Sequence, residues 1–311
     1  MAADSAGYRP RMTLLGALHP ARRLGGRALP PIGLGCMPLS TRRRPPEEQA
    51  VRTIHAALDA GVRLLDTADA YAPDESEVGH NERLIANALR GRSEDVVVAT
   101  KGGHVRRGTA WELDGSPQHL RRACEASLRA LQREAIGLYL LHRPDPQVPY
   151  AESVGALREL RDEGKIVHVG LSNATVAQLE EAEGIVPIAA VQNELSLSYA
   201  APLANGEVEA CAERGILLMA WSPLGGLRAA AEAPGRVDAV RAAAEAHSVS
   251  PQQVVLAWLL STSPAVMPIP GSTRPETIRD SLAAADLVLD PDELRAIGAA
   301  ADYAERSEDS S

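Results

Sequence analysis

From residue 32 onward, short apolar runs alternate with longer segments in which apolar residues return every three or four positions. The runs are Ile32–Cys36, Arg63–Asp66, Val96–Thr100, Ile136–Leu141, Ile166–Gly170, Ala189–Gln192, Leu217–Trp221 and Ala265–Pro268. They are continuously hydrophobic rather than alternating, the pattern of parallel strands covered on both faces. Between them lie amphipathic stretches at Glu47–Ala60, Asn81–Arg90, Gln118–Leu131, Glu152–Glu163, Thr175–Glu183, Glu207–Arg214, Val237–His247 and Pro275–Ala283. Each is long enough for a crossover helix, and several carry end signals. Ser116-Pro117 and Ser250-Pro251 supply an N-cap followed by proline at the first helical position, while Gly164 and Gly215 follow helices as C-terminal caps.

Eight strand–helix units in regular alternation predict an α/β fold, a (β/α)8 TIM barrel, as one domain over residues 1–311. Pro251–Ser261 and Asp290–Ala300 exceed the eight-fold count and predict two extra helices. Met12–Leu29, broken by Gly16, Gly25 and Gly26, predicts an N-terminal β-hairpin that seals the barrel floor. Residues 1–11 are expected to form a flexible tail and residues 302–311 a polar one. The competing architecture is an open doubly wound sheet, but no GxGxxG follows the first strand, where Ile32–Leu39 offers only Gly33 and Gly35.

Composition narrows the partners. The chain of 311 residues carries a formal charge of −9, which argues against nucleic acid or an anionic membrane and leaves a small molecule as the expected ligand. In so acidic a chain Arg42-Arg43-Arg44 reads as a solvated loop. Cys36, Cys124 and Cys211 lie far apart with no CxxC pair, so a reducing compartment is expected and no metal site is. There is no apolar leader near the N-terminus and no apolar run of the ~18–20 residues that span a bilayer, so a cytoplasmic protein is expected. No coiled-coil heptad demands a partner, which suggests a monomer or a weak homo-oligomer.

Barrel enzymes carry their reactive groups at the carboxyl ends of strands. The polar residues at those ends include four that exchange protons: Asp66, Tyr71, Lys101 and His142. Lys101 is one of only two lysines among 32 basic residues, so its place at a strand end is conspicuous. A phenol is too weak an acid to protonate an alkoxide readily at neutral pH, and a nearby ammonium lowers its pKa. The ammonium in turn needs a carboxylate to stay charged once buried. Asp66 is therefore expected to support Lys101, Lys101 to tune Tyr71, and His142 to donate a hydrogen bond to the same substrate oxygen.

These residues sit in a longer series: Leu65-Asp66-Thr67-Ala68 followed by Tyr71, Ala99-Thr100-Lys101, Leu140-Leu141-His142, Gly164-Lys165-Ile166 through Gly170-Leu171-Ser172-Asn173, Val191-Gln192-Asn193, Trp221-Ser222-Pro223-Leu224-Gly225 and Ile269-Pro270-Gly271-Ser272. In content and order it resembles the aldo-keto reductase superfamily over nearly the whole barrel. The resemblance implies reduction of an aldehyde or ketone by hydride from a reduced nicotinamide, with Asp66, Tyr71, Lys101 and His142 as a catalytic tetrad. It also implies that Ser172, Asn173 and Gln192 hold the carboxamide and that Trp221 lies under the nicotinamide. Ser222, Pro223, Leu224 and Gly225 would meet the pyrophosphate. Ile269, Gly271, Ser272, Thr273 and Arg274 would open the helix that takes the adenosine phosphate. Thr277 and Asp280-Ser281 depart from the family's pattern in that region, and Arg274 favours NADPH over NADH.

Met37, Trp111 and Arg143 are expected to line the substrate pocket, with Arg106 or Arg143 available to an anionic or polar substrate. The stretches Thr100–His104, Trp111–Gly115 and Leu141–Pro146 resemble a bacterial pyridoxal-reductase branch, which implies a pyridoxal-like substrate or a broad range of carbonyls. Two other readings use the same residues. Lys101 could form a Schiff base in a lyase or aldolase, or the fold could bind cofactor as a regulatory module with little turnover.

Overall fold

The structure, a computed structural model, describes residues 19–226, 230, 235 and 237–302. Its central sheet has eight parallel strands: β1 (Leu34–Gly35), β2 (Leu64–Asp66), β3 (Val97–Gly102), β4 (Ile136–Leu141), β5 (Ile166–Ser172), β6 (Ile188–Glu194), β7 (Leu217–Trp221) and β8 (Val266–Pro268). Successive strands pair in chain order from β1 to β8. Backbone bonds from Gly33 N to Pro268 O (3.0 Å) and from Gly35 N to Pro270 O (3.1 Å) join the first strand to the last and close the barrel. The seam requires glycine at position 35, where a Cβ would stand 2.7 Å from Ile269 O.

The eight expected crossover helices are present, with ends shifted by at most two residues. The first five crossover helices pack on one another in succession, and Pro275–Ala283 returns to pack on Glu47–Asp59. The Ser116 and Ser250 hydroxyls accept from His119 N and Gln253 N, and Gly215 takes the left-handed cap at φ 66°. The two additional helices are Pro251–Thr262 and Pro291–Ala299.

Side-chain parity divides the sheet. Leu65, Val98, Tyr139, Leu141 and Leu218 belong to the large core between sheet and helices. Their neighbours Leu64, Val97, Ala99, Leu138, Leu140, Leu217 and Met219 form a separate inner cluster with Leu24, Leu29 and Ile269, which fills the barrel. Counting on by twos, Asp66, Lys101, His142, Gln192 and Trp221 continue the inward rows at the carboxyl ends. The same periodicity that packs the interior thus delivers the polar groups to one rim.

Leu24 and Leu29 enter that cluster from the floor hairpin, Arg22–Leu24 paired with Arg27–Leu29 around Gly25-Gly26. This matches the expected hairpin in its second half; residues 12–18 and the tails at residues 1–11 and 303–311 lie outside the described residues. A second hairpin was not expected. His104–Arg107 pairs with Ala110–Leu113 across the tight turn at Gly108, above the carboxyl rim. Its strands are four residues each, mix polar with apolar residues and are mostly half-exposed or exposed, so no continuous apolar run marks them in the sequence.

Arg22 ties the floor to the wall. It is fully buried, and its guanidinium donates to Val266 O (2.6 Å), Pro20 O (2.7 Å) and Leu260 O (3.0 Å). Replacing it with alanine strands these carbonyls and should cost about 3 kcal/mol or more in chemical denaturation. Lysine, lacking the planar fork, should recover only a minor part of that loss. An alanine variant as stable as the parent would contradict this role.

Candidate active site

The sequence after β2 folds back on itself before helix His80–Leu89 begins. Thr67 Oγ1 donates to Asn81 Oδ1 (2.6 Å), Tyr71 N to Ala68 O (3.2 Å) and Gly79 N to Asp69 O (2.7 Å). These bonds hold Tyr71 over the end of β3. There Lys101, with no exposed surface, donates to Thr67 O (2.7 Å), Asp66 Oδ1 (2.8 Å) and Tyr71 Oη (3.1 Å). Its ammonium has three protons and three acceptors, so it is satisfied without water.

The electrostatics follow from burial and this pairing. Burial works against the Lys101 ammonium, but the Asp66 carboxylate and the Tyr71 oxygen outweigh it and lift the pKa above its ordinary value. For Tyr71 burial dominates and raises the phenol's pKa, although Lys101 pulls it down. The expectation that Lys101 leaves this phenol more acidic than a free one is corrected: the ammonium offsets part of the burial penalty rather than all of it. Burial first, then Lys101 and His104, press His142 well below its ordinary pKa, so its imidazole is neutral at physiological pH.

Tyr71 and His142 border one cavity of about 260 Å³. Their ring centroids are 5.8 Å apart, and Trp111 of the rim hairpin meets Tyr71 edge-on at 6.3 Å. Met37, Arg143, Ser172, Asn173, Gln192, Trp221, Ser222, Pro223, Leu224, Ile269 and Gly271, all singled out in the sequence, also line it. Gly225, Ser272, Thr273 and Arg274 are absent from the lining; Arg274 is exposed at the start of helix Pro275–Ala283. His104 and Pro38 line the cavity and were missed. No motif marks Pro38, and His104 becomes visible only once the rim hairpin sets it 4.3 Å from the His142 ring.

The groove has features that suit an elongated dinucleotide. Asn173 and Ser222 hold positive φ (56° and 48°), strained for residues with a Cβ, at the ends of β5 and β7. Asn173 Nδ2 donates to His142 O (3.0 Å), which links the two strand ends. The Trp221 indole N–H and His142 Nδ1 are buried without a protein partner among the described residues. Gln192 differs from its implied role in one respect: its amide donates to Asp66 Oδ1 (2.7 Å), so that nitrogen is committed to the carboxylate. Asp280 accepts from Ser250 Oγ (2.7 Å) and Gln253 Nε2 (2.6 Å), a packing role that accounts for an acid in this position.

Comparison with known proteins agrees with this geometry. The family model described as "Aldo/keto reductase family" matches residues 31–302. The Glycine max protein named Probable aldo-keto reductase 1 is 33% identical over 295 residues, covering 86% of this chain and 84% of its own. An aldo-keto reductase from Klebsiella pneumoniae, solved in complex with NADPH, superposes with a TM-score of 0.79 at 27% identity over 93% of this chain and 97% of its own. A thermostable aldo-keto reductase solved with the inhibitor epalrestat gives 0.77 at 29% identity over 90% of this chain and 99% of its own.

Behind Lys101 lies a second buried acid. Glu82 accepts from Thr100 Oγ1 (2.6 Å), and burial pushes its carboxyl up from 4.5 to about 7. Asp69 is raised in the same direction, by burial and then by the Glu82 charge. The folded protein therefore binds the Glu82 proton more tightly than the unfolded chain does. The associated stability is complete below the unfolded pKa and is lost as pH rises through about 7, an effect of about 3 kcal/mol. Glu82→Gln, which keeps an acceptor for Thr100, should gain in melting temperature over the parent as pH rises from about 5 to about 8. A constant difference across that range would contradict the assignment.

Proposed function

The chain belongs to the aldo/keto reductase family, and from that membership and the geometry of the rim we propose that it reduces an aldehyde or ketone to an alcohol with NADPH. The observation that carries this reading is the Lys101 ammonium held between Asp66 Oδ1 and Tyr71 Oη. When bound, a reduced nicotinamide supplies the hydride. The substrate's carbonyl oxygen would lie between Tyr71 Oη and the neutral His142 imidazole, and Tyr71 gives that oxygen its proton. Lys101 stabilises the phenolate left behind, and Asp66 keeps Lys101 charged.

Ser172, Asn173 and Gln192 would face the carboxamide, Trp221 would offer a flat surface to the nicotinamide, and Ser222 to Gly225 would follow the pyrophosphate. The N-terminus of helix Pro275–Ala283 and the exposed Arg274 suit a phosphate on the adenosine ribose. The NADPH in the Klebsiella pneumoniae relative supports the choice of the phosphorylated cofactor. Met37, Trp111 and Arg143 border the space left for the substrate, and pyridoxal and simple aromatic aldehydes are suitable first probes. A Schiff base at Lys101 would require a free amine, which the carboxylate at 2.8 Å opposes.

NADPH should quench the indole fluorescence and be consumed when an aldehyde is added. Tyr71→Phe should lose roughly a hundredfold or more in kcat/KM while still binding NADPH; consumption at the parent rate would contradict the proton assignment. NADPH binding with no consumption on any carbonyl would instead favour the regulatory reading. Because burial raises the Tyr71 pKa, its proton is present throughout the neutral range. Reduction should therefore show no alkaline decline below about pH 9. A limb with a lower midpoint would assign the proton to another group.

A further inference from the structure

Among the described residues, the cavity lining contains one carboxylate, Asp66, and one guanidinium, Arg143. Asp66 is already neutralised by Lys101. Arg143 is half-buried beside His142 and makes no hydrogen bond or ion pair among the described residues. The acid nearest to it in the chain is turned elsewhere: Asp145 Oδ2 accepts from Gly115 N and Oδ1 from Gln147 N, both at 2.9 Å. The two imidazoles at this end add no charge. Burial, followed by Arg143 and Lys101, depresses His104 to about 4, and His142 is depressed likewise.

A second guanidinium stands behind the pocket wall. Arg106 lies 4.2 Å over the Trp111 ring and is 7% exposed. Its Nη2 donates to Pro73 O (2.7 Å), while Nε and Nη1 are buried without partners among the described residues. Asp74, whose charge reaches Arg106, is half-buried and accepts from Ser76 N (2.9 Å). In a protein of net charge −9, one arginine thus lines the substrate end of the cavity, a second stands behind its wall, and among the described residues that end has no unpaired acid. A cation at a pocket mouth without a counter-ion is a site for one supplied by the ligand.

We propose that the preferred substrate is a carbonyl compound bearing an anionic oxygen group, a carboxylate or a phosphate, that pairs with Arg143 while its spacer packs against the Tyr71–Trp111 wall. This rests on the reductase reading above and specifies its substrate class. His142 and Arg143 are consecutive at the end of β4, so one segment would orient both ends of the molecule: the carbonyl at His142 and Tyr71, the anion at Arg143. Arg106 acts as a positioning residue, holding Trp111 and adding to the positive field without contacting the substrate.

The test compares 4-formylbenzoate with its methyl ester, and 4-formylphenyl phosphate with both, under saturating NADPH. The free acid should exceed the ester in kcat/KM by roughly tenfold, mostly through KM. The phosphate, measured beside it, identifies which anion fits better. The acid-to-ester ratio should fall to about one in Arg143→Met and be largely retained in Arg143→Lys. Should the methionine variant fail to fold, added salt should raise KM for the acid and not for the ester in the parent protein. Equal rates on acid and ester, or a ratio indifferent to Arg143, would overturn the proposal. If no aldehyde is reduced at all, the reductase reading fails separately. Calorimetry with 4-(hydroxymethyl)benzoate and its methyl ester then decides the anion site: preference for the acid that is lost in Arg143→Met supports it, and equal binding overturns it.

Discussion

A single buried ammonium organises the upper half of this barrel. Lys101 has no exposed surface, and a charge so enclosed survives only with complete hydrogen bonding and a counter-charge. Asp66 provides the counter-charge, Thr67 O takes a second proton, and Tyr71 Oη takes the third. To bring three acceptors to one nitrogen, the segment after β2 must fold back tightly, which the bonds of Thr67 to Asn81 and Gly79 to Asp69 accomplish. Asp66 also accepts from Gln192, four strands away, so the pair braces the barrel across its interior. Arginine could not replace Lys101 here, because its wide planar fork cannot converge on three acceptors around one nitrogen.

The rest of the fold makes this enclosure possible. Apolar inward rows fill the barrel from the floor to the level of Ala99 and Leu140, and the floor hairpin adds Leu24 and Leu29 from below. Polar residues then take over the same rows at the carboxyl end. The dry layer beneath Lys101 raises the cost of an unpaired charge and strengthens each interaction above it. It also explains why the Tyr71 phenol keeps its proton more firmly than a free phenol despite the adjacent cation. An acid that gives up its proton only when negative charge develops beside it suits protonation of a forming alkoxide, and Lys101 is placed where it would stabilise the resulting phenolate.

Much of this was legible in the chain. Period and end signals locate all eight barrel strands and their crossover helices, because long buried elements leave continuous apolar or amphipathic patterns. The proton-exchanging residues at the ends of β2, β3 and β4 were legible for the same reason: each stands at or just past an apolar run, where inward parity carries it to the rim. The rim hairpin was not legible. Its strands are short and mix polar with apolar residues, and what holds them in place is the contact of Trp111, His104 and Arg106 with groups from distant elements. The net direction of the Tyr71 shift was also hidden, since residue types identify the neighbouring charge but not the depth of burial that outweighs it. The commitment of the Gln192 amide to Asp66 depends on packing across the barrel, which spacing along the chain does not encode.

The central claim is that Asp66 and Lys101 act as one unit in presenting the Tyr71 proton. A double-mutant cycle on kcat/KM for aldehyde reduction, with Asp66→Asn, Lys101→Met and both together, measures it most directly. If the pair acts as a unit, the double variant should be about as impaired as the worse single variant. Losses that add independently would contradict the account.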